Sequence, residues 1–222
     1  MNSHMNTAIA AGHKARKEPR QARSTMTVDA ILEATIQVLL ADGTARLTTT
    51  SVANRAGVSV GTLYQYYPNK QSLFFAVNEN YLDMLASRVE AACRDQHGKP
   101  YAEMAAALVE TYVKVKTERR DMTRVLYLAA GEINVAGPVE MMTQRIEAAS
   151  EAMFATASDG PFENLSTLNL TILNVLFGTV RSFFDRNMSD LLEYEFSAQI
   201  VSMFCAYLGS AKMRSVGSST AA

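Results

Sequence analysis

Three histidines and two cysteines are the chain's whole supply of soft or pH-switchable ligands among 222 residues, and they are poorly placed for catalysis. His4 and His13 fall in the polar first 24 residues. Only Cys93 and His97, four residues apart on a helical pattern, have a spacing that could share a metal ion. No third Cys or His stands near them, and two protein ligands are fewer than a structural or catalytic zinc requires. No His-based dyad or triad can form in the C-terminal half, and no Gly-rich phosphate loop of the Walker or dinucleotide type occurs. The expectation is a chain that is not an enzyme, with no catalytic residues, no metal and no cofactor.

The richest hydrogen-bonding stretch is "SVGTLYQYYPNK", Ser59 to Lys70. It packs three tyrosines, a glutamine and a lysine around two helical turns that Pro68 cuts short. A short buried helix would carry Leu, Ile and Ala instead. Ser59 can cap the helix from its N-terminal side. Before it, "LTTTSVANRAG" reads as another short helix, capped by Thr48 and ended at Gly57. Two short helices joined by a tight Gly-containing turn match a helix-turn-helix. Val52, Ala53, Ala56, Val58, Leu63 and Tyr67 can supply its internal packing. Val60, Gly61, Thr62, Gln65 and Tyr66 are then left largely outside, with Tyr64 at the edge. Such a face suits a ligand with hydrogen-bonding edges and phosphates, as the DNA major groove is. Lys70 falls in the first turn of the next helix, where the macrodipole disfavours a cation unless a backbone phosphate is bound there.

The elements that must position this face are helical throughout. Five prolines, no Trp and abundant Ala, Leu, Met and Glu favour helix, and no β-alternation stands out. From Thr27, Val28, Ile31, Leu32, Ile36, Leu39 and Leu40 recur at helical spacing up to Gly43. Asn69 opens a long helix to about His97, striped by Leu73, Phe74, Val77, Tyr81, Leu85 and Val89. Further helices are expected near 101–119, 121–134, 138–157, 162–187 and 190–212, with "GP" at 137–138 and "DGP" at 159–161 as separators. The net charge of −1 hides a division. Residues 1–75 carry eight Lys/Arg against four Asp/Glu, and residues 76–222 carry thirteen against eighteen. A polyanion partner is therefore expected for the first part only.

The stretch Leu47 to Val77, "LTTTSVANRAGVSVGTLYQYYPNKQSLFFAV", resembles the DNA-binding signature of the tetracycline-repressor (TetR/AcrR) family of transcriptional regulators. The Thr opening the second helix, the "AGVS" turn, "GTLYQYY" and the Pro-x-Lys before the fourth helix carry the likeness. It covers about 50 residues with the first helix included, while the C-terminal part resembles the family only in length and helicity. The resemblance implies an all-α protein: a three-helix DNA-binding domain, a linking fourth helix, and a helical domain for ligand binding and dimerisation. The family's contacts carry onto Val60, Gly61, Thr62, Tyr64, Gln65 and Tyr66, with Thr48, Thr49, Thr50 and Lys70 near phosphates; Ser59, at the helix start, is a further DNA-binding candidate. Val60 departs from the polar residue often found there, which shifts base reading toward Thr62 and Gln65.

The expected organisation is a basic disordered arm at 1–24, the helix-turn-helix domain at 25–70, the ligand-binding and dimerisation domain at 71–213, and a tail at 214–222. Residues 1–4 read as a possible cloning remnant. The last two helices are apolar on more than one face and so must be buried on most sides. Leu192, Phe196, Ile200, Phe204 and Leu208 repeat every four positions, and this ridge is expected to pair two subunits in a four-helix bundle. Candidate effector contacts are Leu85, Leu108, Tyr112, Tyr127, Glu132, Asn174, Phe177 and Arg181. The expected function is a ligand-responsive regulator, a repressor that binds a palindromic operator as a homodimer and is released by a small hydrophobic molecule. The alternatives are a small all-α enzyme or a constitutive DNA-binding protein without a ligand. No signal pattern or run of membrane-spanning length is evident, so the expected location is cytoplasmic.

Overall fold

The computed structural model describes residues 22–130, 134–192 and 195–212. These form nine α-helices: α1 (Ala22–Asp42), α2 (Thr49–Ala56), α3 (Val60–Tyr66), α4 (Lys70–Asp95), α5 (Tyr101–Glu118), α6 (Arg120–Ala129), α7 (Ala136–Ala155), α8 (Leu165–Asp185) and α9 (Glu195–Ser210). Short 3₁₀ turns lie at Thr44–Arg46 and Ser189–Leu192. The all-α expectation holds. The "GP" pair does not separate helices but starts one: Pro138 falls in the first turn of α7, where its missing N–H is tolerated. The side chain of Asn134 accepts from the Ala136 amide at 3.0 Å at that start.

The chain forms two compact units. The first holds the described residues up to Met84 together with Arg119–Met142, and the second holds Leu85–Glu118 and the described residues from Thr143 onward. The first unit therefore extends through about half of α4 and takes in α6. In it, α1 packs on α2 and on α6, and α2 packs on α3. Ile31, Leu32, Val38 and Leu39 of α1, Val52 and Ala53 of α2, Leu63 of α3 and Leu73, Phe74 and Val77 of α4 are all buried. Leu40, expected on the α1 stripe, is exposed, while Thr35 is buried with its hydroxyl donating to the Ile31 carbonyl at 2.7 Å.

In the second unit α9 packs on α5 and α8. The end of α9 comes close to Tyr101 at Gly209, where a Cβ would lie 3.0 Å from the tyrosine hydroxyl and press it aside. Ile200, Phe204 and Leu208 are buried within the single chain, and Phe196 stacks edge-on against Phe183 at 4.5 Å. This corrects the expectation that the four-residue ridge pairs subunits. An apolar helix with two sticky faces turns one of them inward, and here the period-four face is the inward one. The side chain of Leu192 lies outside the described residues. A buried polar contact joins α7 to α8, with Ser150 donating to the Asn169 side chain at 2.7 Å and Asn169 donating to the Glu147 carbonyl at 3.0 Å. Segments 24–42 and Leu165–Asp185 are long and apolar enough to cross a membrane by length and composition. Each lays an apolar stripe into this protein core.

Candidate nucleic-acid interface

The interface is built from caps outward. Thr48 is extended (φ −133°, ψ 153°), and its hydroxyl accepts from the Ser51 amide at 3.0 Å while the Ser51 hydroxyl accepts from the Thr48 amide at 3.1 Å. The reciprocal pair starts α2 at Thr49. At the other end Gly57 takes φ 67°, a left-handed conformation that a side chain would strain. The Val58 amide then returns to the Ala53 carbonyl at 3.0 Å and closes the turn. Two residues on, Ser59 accepts from the Thr62 amide at 3.0 Å and starts α3. The Ser59 and Thr62 hydroxyls also share a hydrogen bond of 2.8 Å.

The short α3 has one buried side and one open side. Leu63 is fully buried and Tyr67, just past the helix end, is buried as well. Burial, with Glu79 and Asp29 adding negative charge, pushes the Tyr67 hydroxyl up to about 12. Gly61, Tyr64 and Gln65 are exposed, while Val60 and Thr62 are half-buried. Tyr66 differs from expectation: its ring is buried, and its hydroxyl lies 3.0 Å from Ser24 Oγ on α1. The reason is helical geometry. Tyr66 follows Leu63 by three positions and so shares its inward face. At the start of α2, the cap Thr48 and Thr50 are exposed and Thr49 is half-buried between them.

Asn69 ends the turn that follows Pro68. Its side chain accepts from the Ser72 amide at 2.8 Å, and Ser72 in turn accepts from the Asn69 amide at 3.3 Å. That cap starts α4 at Lys70 and leaves the lysine exposed on the first turn. Thr48, Thr49, Thr50, Ser59, Gly61, Tyr64, Gln65 and Lys70 thus belong to the first compact unit and are open or partly open to solvent. Gly61 is not demanded by the fold, because a Cβ there would meet only the Ser59 hydroxyl, at 3.8 Å. Its smallness is available for something outside the chain. Residues 1–21 of the expected basic arm lie outside the described residues, whereas residues 22–24 already belong to α1.

The expected effector contacts divide. Leu85, Leu108 and Tyr112 are buried in the second unit, and Tyr112 packs on Phe177 with ring centroids 5.0 Å apart. Asn174 is instead exposed, donating to its own helix at the Leu170 carbonyl, 2.8 Å. Arg181 is half-buried and pairs along the helix with Asp185 at 2.9 Å. Tyr127 belongs to the first unit, and Glu132 lies outside the described residues. One residue in this neighbourhood was missed. Lys116 is buried to 2% exposure, its Nζ 5.7 Å from the Tyr112 ring centre. Burial, reinforced by the charge of Arg181, pushes its ammonium down to about 7. The signal was present in the sequence, since Lys116 continues the stripe Leu108, Tyr112 by one helical turn.

The idea of a shared metal at Cys93 and His97 does not survive the geometry. Cys93 is buried, with its thiol pushed up to about 12 by burial, whereas His97 is exposed and beyond the end of α4. No cluster of three or more metal-binding side chains occurs among the described residues.

Comparison with known proteins extends the picture along the chain. A model of bacterial regulatory proteins of the tetR family matches residues 31–77, and a model of the tetracyclin repressor-like C-terminal domain matches residues 100–208. The nucleoid occlusion factor SlmA of Haemophilus ducreyi is 32% identical over 97 residues, 43% of this chain and 47% of that protein. The chain therefore spans about half the length of such relatives. The fatty acid degradation regulator FadR from Bacillus halodurans superposes with a TM-score of 0.65 at 16% identity, covering 89% of this chain and all (100%) of that one. A TetR family transcription regulator from Marinobacter aquaeolei VT8 gives 0.62 at 19% identity, covering 86% and 98%. At such identities the likeness is one of fold.

Proposed function

The chain belongs to the tetracycline-repressor family of bacterial transcriptional regulators, and on that premise we propose that it is a repressor that binds a palindromic operator as a homodimer and leaves it when a small hydrophobic molecule binds. Membership makes it a DNA-binding regulator rather than an enzyme. The observation that carries the finer reading is the open side of α3. Its Gly61, Tyr64 and Gln65 project from a helix whose other side is fixed by Leu63, Tyr66 and Tyr67. A rigid scaffold that presents hydrogen-bonding groups on a seven-residue helix is suited to reading base edges.

Dimerisation is supported by the outer faces of α8 and α9 in the second unit. Leu170 is 46% exposed and Met203 is 47% exposed, with Tyr207 at 36%. Gly178, Ser202 and Ala206 lie on the same exposed sides and would let helices of a second copy approach closely. Two copies joined there would present two recognition helices to half-sites about 34–36 Å apart or a multiple of it. Such a regulator works on chromosomal DNA, which places it in the cytoplasm.

Effector release is supported by the buried Leu85, Leu108 and Tyr112 of the second unit, with Phe177 packed on the Tyr112 ring. A ligand seated there shifts DNA affinity only if it binds one conformation better than the other. The test is selection of bound fragments from genomic DNA, followed by anisotropy titration of the winning site with and without a library of small hydrophobic compounds. A paired half-site motif and a compound that lowers affinity are expected. A constitutive DNA-binding role is the second reading, favoured by the likeness to nucleoid occlusion factors. Many dispersed sites and no releasing compound would establish that reading instead.

A further inference from the structure

A cleft of about 250 Å³ opens within the first unit between α1, α4 and the start of α6. Its walls are three matching helical faces. Asp29, Leu32, Glu33 and Ile36 stand at i, i+3, i+4 and i+7 on α1, and Val77, Asn80, Tyr81 and Met84 repeat that spacing on α4. Arg119 and Met122 close the third side. The floor is apolar, and the rim is charged.

The rim is electrostatically unbalanced. It carries two carboxylates, Asp29 and Glu33, against one guanidinium, Arg119. Arg119 leans on Glu33 at 3.4 and 3.5 Å, a long contact with both side chains 48% exposed. Such a pair holds little energy and is easily rearranged. Asp29, one helical turn before Glu33, is exposed and makes no ion pair among the described residues. The back wall is firm, because the Tyr81 hydroxyl lies 2.9 Å from Thr123 Oγ1 in a buried hydrogen bond. The floor can adapt, because Met84 and Ile36 are only half-buried and a thioether chain conforms to irregular shapes. A cavity near the small end of the usual 300–1,000 Å³ range, apolar below and net negative above, selects its occupant by size and charge.

We infer that this cleft binds a small amphiphile carrying one positive charge, an amine on a short apolar body, with the ammonium at Asp29 and Glu33 and the body on Leu32, Ile36, Val77 and Met122. This site is separate from the proposed effector interior, since all its walls belong to the first unit. An occupant would brace the α1 and α4 faces of the DNA-binding unit directly.

The test uses the full chain with hexylamine, hexanol and hexanoate, each titrated by calorimetry. Hexylamine should bind about tenfold more tightly than hexanol, and hexanoate more weakly than either. Asp29→Asn, at an exposed position, should bring hexylamine to the level of hexanol. Met84→Phe, which fills the floor and leaves the rim charges unchanged, should abolish binding of both. Melting curves establish that both variants fold. Equal affinity for hexanoate and hexylamine would overturn the inference, as would no binding of hexylamine or binding unchanged in the two variants.

Discussion

The hydroxyl of Tyr64 on α3 lies 3.1 Å from Oγ1 of Thr49 at the start of α2. The bond ties the two helices together across their open side, at residues that are themselves 43% exposed and half-buried respectively. It fixes the tyrosine's direction without burying it. Tyr64→Phe should therefore change stability by less than about 0.5 kcal/mol, as exposed positions do. Operator affinity should fall several-fold, the equivalent of one hydrogen bond of about 0.5–1.5 kcal/mol. Thermal melting and anisotropy titration report the two quantities separately. Equal losses in both would make the bond structural only.

Gly61→Ala gives a sharper separation. The chain leaves room for the added carbon, 3.8 Å from the nearest heavy atom. Ala also leaves the unfolded chain less freedom than Gly, so the melting temperature should hold or rise. DNA binding should weaken at least tenfold if the α3 backbone approaches the groove closely. Unchanged DNA binding would remove Gly61 from the interface.

Lys70 and Gln65 should behave as different classes of contact. Lys70 is exposed beside the cap made by Asn69, so Lys70→Ala should weaken all sequences alike and reduce the salt slope by about one unit. Gln65 is exposed on α3 and its amide can address base edges, so Gln65→Ala should cost about 1–3 kcal/mol at particular base pairs only. Competition binding against a panel of single-base operator variants distinguishes the classes. Uniform loss in both variants would place base reading elsewhere.

Assembly should depend on the outer rather than the inner side of α9. Phe204 is 2% exposed inside the chain, so Phe204→Glu should unfold the protein through an unpaired buried charge costing about 3–5 kcal/mol. The double variant Leu170→Glu, Met203→Glu alters exposed side chains and should yield a folded monomer. Sedimentation with circular dichroism reads both outcomes. A dimeric double variant would rule out this face.

Lys116 predicts a pH dependence. Its ammonium is lowered from 10.5 to about 7 in the folded chain. Between those values the unfolded chain holds a proton that the folded chain does not. Stability should therefore rise with pH across that window, and the cost should be fully present below about pH 7. Lys116→Met keeps the apolar stem and removes the charge, so it should stabilise by about 1–4 kcal/mol near pH 6 and by much less at pH 10. Melting temperatures of both proteins across that range check the sign. A larger gain at pH 10 would contradict it.

What the sequence determined by itself is local. Thr48, Gly57, Ser59 and Pro68 act on their own neighbours through caps, a left-handed turn and a missing donor, so α2 and α3 could be read within a residue or two. The stripe Leu73, Phe74, Val77, Tyr81, Leu85, Val89 likewise announced the buried side of α4. Where a helix has two apolar sides, periodicity is silent on which one faces inward. The Phe204 ridge and the Leu170 and Met203 face were therefore sorted only by the packing of α9 on α5 and α8. Tyr66 was misplaced for a related reason: on a seven-residue helix a tyrosine suits either environment, and the Ser24 hydroxyl, 42 residues away, made burial satisfiable. The grouping of Arg119–Met142 with the N-terminal helices could not be inferred from local pattern either. Contacts between segments distant in the chain decide such questions, because an isolated helix has no means of recording what will be packed against it.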